Sequence, residues 1–149
     1  MRYLEVEQII RINEKIYQRS LNDPRVEYSG RNDYTTSTHK IERLVELAPK
    51  GTILEVATYF LKNIILLQAF PNANHRTAML VVEQFLKNNK KRLRYSKEEV
   101  VEFHRSSFSI QSRAYGTLEA RGIGVLTEKR NEFYEHCRKY LEDHLTEGN

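Results

Sequence analysis

From Ile53 to Leu67 the chain is apolar on nearly every side of a helix: Ile53, Leu54, Val56, Ala57, Phe60, Leu61, Ile64, Ile65, Leu66 and Leu67 leave no wide polar stripe. A helix that faces water needs such a stripe, so this one belongs at the centre of a bundle. A second apolar run follows, with Ala78, Val81, Val82, Phe85 and Leu86 at helical spacing and a helix expected over 74 to 88. Between the two lies Ala69-Phe70-Pro71-Asn72-Ala73. Pro71 fixes its own φ and biases the residue before it away from helix, so the central helix should stop near Gln68. Asn72 or Asn74 is the expected N-cap of the next one.

The remaining periodicity is also helical. Val6, Ile9, Ile10, Ile16 and Tyr17 mark an amphipathic helix from about Glu5 to Arg19, broken by Leu21-Asn22-Asp23-Pro24. Ile41, Leu44, Val45 and Ala48 mark a short one that ends before Pro49. Ser96-Lys97-Glu98-Glu99 is a capping box that starts another, through about Phe108, and a last helix is expected from about Thr127 to Leu145. Residues 25 to 38 are polar and rich in turn formers, which predicts a flap carrying at most one small hairpin. The reading is one all-α domain over residues 1–149, a bundle of six or seven helices. At that length about 70% of the unfolded surface is buried around a single core.

Composition narrows the setting. No segment has the roughly 18–20 uninterrupted apolar residues of a membrane span. The first residues, Met1-Arg2-Tyr3-Leu4-Glu5-Val6-Glu7, are acidic where a secretory signal needs an apolar core, and the single Cys137 fits a reducing compartment, so the expected location is cytoplasmic. Cys137 shares a helical face with Phe133, Tyr134 and Leu141 and reads as a small core residue. The formal charge is +4, and the block from Lys87 to Arg94 contributes much of it. Such a block is either a nucleic-acid patch or a helix end whose cations complement the dipole. With no helix-turn-helix, zinc-finger or aromatic RNA-binding signature, the helix end is favoured.

The loop before the second apolar run carries the chemistry. The first-turn N–H groups of a helix starting at Asn74 point back into the loop, and His75 and Arg76 lie beside them. Oriented amides, a positive helix end and a guanidinium fork form a candidate anion site.

The segment resembles the signature loop of the Fic/Doc (Fido) family, His-x-Phe-x-(Asp/Glu)-(Gly/Ala)-Asn-x-Arg, followed in Doc-like (death-on-curing) proteins by Thr-Ala. Here it reads Gln68-x-Phe70-x-Asn72-Ala73-Asn74-x-Arg76-Thr77-Ala78, and the resemblance extends over residues 1 to about 110. It implies a Fic/Doc-like helical fold with the flap beside the motif loop (68–78), phosphates of ATP or another nucleotide cradled by Asn72, Ala73, Asn74, His75 and Arg76, and Phe70 as the loop's anchor. It also implies an extended protein target docked along the flap, where Gly30, Arg31 and Asp33 match a Gly-x-Arg-Asp element with an offset of one residue. A toxin–antitoxin setting would add a small antitoxin partner. Some Fic proteins are self-inhibited by a glutamate on the motif arginine, and Asp143-x-x-x-Glu147-Gly148 is a near match lacking the hydroxyl residue.

Two departures fall on the reacting groups. The family's general base, a histidine, is Gln68, whose amide cannot take up a proton in a usable range. The family's acidic metal ligand is Asn72, which leaves a neutral oxygen and a weak Mg²⁺ site. His75 faces the phosphates by analogy rather than an acceptor hydroxyl, and a histidine at a helix N-terminus tends to be neutral. The expectation is a catalytically impaired nucleotide- or phosphate-binding protein. Its alternatives are an active nucleotidyl- or phosphotransferase modifying a protein hydroxyl, and a helical protein- or nucleic-acid-interaction domain.

Overall fold

The computed structural model describes residues 1–31 and 34–148. Six α-helices are present among them: α1 (Val6–Asn22), α2 (Thr38–Glu46), α3 (Ile53–Leu67), α4 (Asn74–Asn88), α5 (Lys97–Tyr115) and α6 (Glu132–His144). A 3₁₀ turn spans Ile123–Thr127, and two short strands, β1 (Lys91–Leu93) and β2 (Leu145–Glu147), complete the fold. The architecture is the expected all-α bundle.

α3 lies at its centre. Every residue from Val56 to Leu67 is buried, and the helix packs against α4, α6 and the 3₁₀ turn. Thr52 caps its start, accepting from the Glu55 amide at 3.1 Å. α1 contributes Ile9 and Ile16, α2 contributes Ile41 and Leu44, and α4 contributes Val81, Val82, Phe85 and Leu86. Cys137 is fully buried in α6, where burial pushes its thiol up. No helix among the described residues is long and apolar enough to cross a membrane.

Several boundaries differ from the sequence reading for local reasons. α1 continues to Asn22, stopping only as the chain nears Pro24. α5 runs on to Tyr115, since no breaker precedes Gly116, which takes the left-handed conformation (φ 71°) that ends helices. α6 begins at Glu132, not near Thr127, because the Asn131 side chain caps it by accepting from Tyr134 N at 2.9 Å. The stretch before it forms a separate turn that buries Val125 and Leu126.

The strands also lie away from the flap. β1 belongs to the basic block and pairs antiparallel with β2, placing Lys91 opposite Glu147 and Leu93 opposite Leu145. Residues 25–31 and 34–37 carry no strand. The pairing joins Glu147 to the Lys91 ammonium, so the C-terminal glutamate is not on Arg76 as the self-inhibition pattern would have it.

Candidate functional site

The motif loop is bracketed by two non-glycine residues in left-handed conformation, Gln68 (φ 44°) and Ala73 (φ 61°). Such backbone costs on the order of 1–2 kcal/mol per residue and persists only where surrounding contacts hold it. Those contacts come from every side. At the α3 end, Lys40 of α2 donates to Leu67 O at 2.8 Å and to Arg121 O at 3.0 Å, while Arg121 N donates to Leu66 O at 2.8 Å. The carbonyls of the last helical turn, which have no partner within the helix, are thus satisfied by a cation and a crossing segment. Burial holds Lys40 below the usual lysine range.

Gln68 is the C-cap of α3, and its Nε2 donates to Leu118 O at 2.7 Å. The side chain at the motif's first position therefore ties the loop to the segment after α5. Phe70 is 5% exposed, and the Asn74 amide clasps it, its Oδ1 accepting from Phe70 N and its Nδ2 donating to Phe70 O, both at 3.1 Å. That clasp explains why neither expected asparagine caps α4. Ala73 occupies the N-cap position without a side-chain bond, because Asn74 is spent on Phe70 and Asn72 Oδ1 accepts from the adjacent Ala73 N at 2.9 Å. The amides of Asn74, His75 and Arg76 then have no partner among the described residues, as the first turn of a helix leaves them.

A buried asparagine fixes the loop from behind. Asn13 of α1, 2% exposed, donates through Nδ2 to Asn72 O and to Thr77 Oγ1, each at 2.9 Å, and accepts at Oδ1 from the Tyr28 hydroxyl at 2.7 Å. One side chain thus joins α1, the loop, the first turns of α4 and the flap. The sequence reading missed it, although a signal was present. Asn13 sits four residues after Ile9 and three before Ile16, on the buried stripe of α1, where a polar residue needs polar partners.

The flap lies beside the loop, as expected. Ser37 N donates to Ala69 O at 2.7 Å, Asn72 Nδ2 to Ser29 Oγ at 3.1 Å, and Arg76 Nη2 to Glu27 O. Gly30 takes φ 77°, a left-handed backbone that favours glycine, and a Cβ there would stand 3.2 Å from the Tyr34 ring. Arg31 pairs with Glu14 at 2.7 Å and stacks over Tyr17, 4.0 Å from the ring centre. Asp33 lies outside the described residues.

His75 is turned toward α5. Its Nδ1 meets His104 Nδ1 at 3.0 Å, and its ring stacks on Phe108 with centroids 4.9 Å apart. Burial, helped by the neighbouring His104, lowers its pKa to about 4, so the ring is neutral near pH 7. A metal between loop and phosphates would find little here. Asn72 brings a neutral oxygen already in use, and among the described residues no three His, Cys, Asp or Glu side chains gather as ligands. The residues present do not fit a resident Mg²⁺. What the arrangement offers is binding chemistry: three helix-end amides, a guanidinium resting on a single carbonyl, and a loop braced from four sides.

No curated protein and no solved structure matches the chain. Residues 7–109, from α1 through most of α5 and including the whole loop, match a family of unknown function (DUF8172), and the chain belongs to that family.

Proposed function

We propose that the chain is a Doc-like protein that binds a nucleotide or another phosphate-bearing ligand at the 68–78 loop and has lost efficient group transfer. The observation that carries this reading is the first turn of α4, whose amides at Asn74, His75 and Arg76 open on a rigid loop without partners among the described residues. Arg76 supports it. Its bond to Glu27 O is to a neutral acceptor, and a phosphate oxygen would replace it with a charge-assisted pair. Impaired transfer is argued from Gln68, which holds Leu118 O and cannot act as a base. Loss of a general base costs about 10²–10⁴ in rate.

The test is calorimetric titration with ATP, ADP and AMP, with and without Mg²⁺, on wild type and Arg76→Ala. The expected result is binding that does not depend on Mg²⁺ and that Arg76→Ala weakens by at least about tenfold. Absence of binding under every condition would refute the reading.

A further inference from the structure

A cavity of about 340 Å³ opens on the far side of Arg76, between α1, α4 and α5. Its walls are Ile16, Val26, Met79, Leu80, Tyr95 and Val100. Ile16 and Met79 are each 5% exposed and form a buried floor, while Leu80, 40% exposed, stands at the open rim. The Tyr95 hydroxyl is tied to Glu83 Oε1 at 2.7 Å, which leaves its ring to the cavity. The polar members are Arg19, Arg76 and His104, and among the described residues no carboxylate lines the space. Neither arginine has an ion-pair partner among the described residues; Asp23, whose carboxylate feels Arg19, is paired with Arg25 at 3.1 Å. A concave, mostly apolar space of this size with a few convergent polar groups is the usual form of a small-molecule site.

We propose that this cavity binds a small amphipathic anion, its apolar body against Ile16, Met79 and Leu80 and its carboxylate or phosphate head on Arg19 and Arg76. The charge balance selects the ligand: two guanidiniums and no acid among the described residues attract an anion, and the apolar walls favour one with an apolar body. Burial holds the His104 pKa down, and in the tautomer whose Nδ1 accepts from His75 its Nε2–H is the ring's remaining donor for the head group. A second cavity of about 370 Å³ shares Ile16, Arg19 and Leu80 and continues along α1 and α4, where Ile12 is joined by Lys15, Lys87 and the Glu83 carboxylate, so the anionic head belongs in the first cavity and not in this one. The site shares Arg76 with the phosphate-binding reading but rests on the cavity rather than on the loop.

The test uses octanoate and octyl phosphate, with octan-1-ol and inorganic phosphate as controls, titrated by calorimetry into wild type, Arg19→Ala and Leu80→Asp. Both positions are exposed enough to be replaced without disturbing the core. The octyl anions should bind at least about tenfold tighter than either control, and each substitution should weaken them by a similar factor. ATP binding should be unchanged in both variants. The tighter of the two octyl anions identifies the head group. The proposal is overturned if neither octyl anion binds at millimolar concentration, if octanol binds as well, or if binding survives both substitutions. ATP binding without octyl binding overturns this site alone, and octyl binding without ATP binding overturns the loop reading alone.

Discussion

Replacing Asn13 by alanine removes three hydrogen bonds at once, to Asn72 O, Thr77 Oγ1 and the Tyr28 hydroxyl. Each contributes about 0.5–1.5 kcal/mol net. Thr77 is fully buried, so its hydroxyl has no water to turn to and the upper half of that range applies. The expected loss is about 3 kcal/mol, or roughly 6–12 °C in Tm for a chain of this length. Urea and thermal unfolding followed by circular dichroism give both figures. A cycle with Tyr28→Phe isolates the mechanism. That change alone should cost about 1 kcal/mol, and in the Asn13→Ala background it should cost close to nothing, because its acceptor is already gone. A loss below about 1 kcal/mol for Asn13→Ala, or an undiminished cost of Tyr28→Phe in its background, would refute the view of Asn13 as the hub of the loop.

Three further outcomes follow from the same geometry. Ala73→Gly should stabilise the fold by about 0.5–1 kcal/mol in chemical denaturation, because φ 61° costs alanine more than glycine. Acidification should destabilise through His75. Its folded pKa of about 4 lies below the unfolded value of about 6.5, so its contribution is complete above pH 6.5 and falls as pH drops toward 4. The size is about 2–3 kcal/mol over that window, and His75→Gln should flatten the slope measured by urea titration at pH 7 and pH 4.5. Finally, Gln68→His with Asn72→Asp should produce transfer of labelled nucleotide to protein if only the reacting groups were lost. A double variant that binds ATP and transfers nothing would count against descent from a transferase.

The parts of the fold legible in sequence were those specified locally. The central position of α3 followed from its all-round apolar surface, and the loop between α3 and α4 from Pro71 between two apolar runs. The Ser96–Glu99 capping box predicted the start of α5 and is formed as read. Through-space partnerships were not legible. Lys40 meets Leu67 and Arg121, 27 and 81 positions away, and nothing around it distinguishes it from a solvated lysine. Lys62, inside the apolar run, is 4% exposed and pairs with Glu128 at 2.7 Å. The expected asparagine cap on α4 failed for a related reason. Cap preference describes an isolated helix end, whereas here Asn74 gains two bonds by turning back to Phe70. His75 was read as facing phosphates, and its partner on α5, His104, lies 29 positions further on.

The distribution of these contacts bears on what the loop is for. A connector between two helices needs no more than a turn, yet this one holds two strained residues and is braced by Asn13 from α1, Lys40 from α2, the Leu118 carbonyl after α5, and Ser29 of the flap. Rigid presentation of backbone amides is useful to a site that recognises charge, since donors already in place need no reordering when the ligand arrives. It is equally useful to binding and to catalysis, so rigidity alone does not choose between them. Gln68 does. A base must be free to reach an acceptor hydroxyl, whereas the Gln68 amide is engaged with Leu118 O and its backbone lies in the left-handed region. A side chain engaged in bracing the loop supports the proposed reading, a site that holds its ligand rather than one that transforms it.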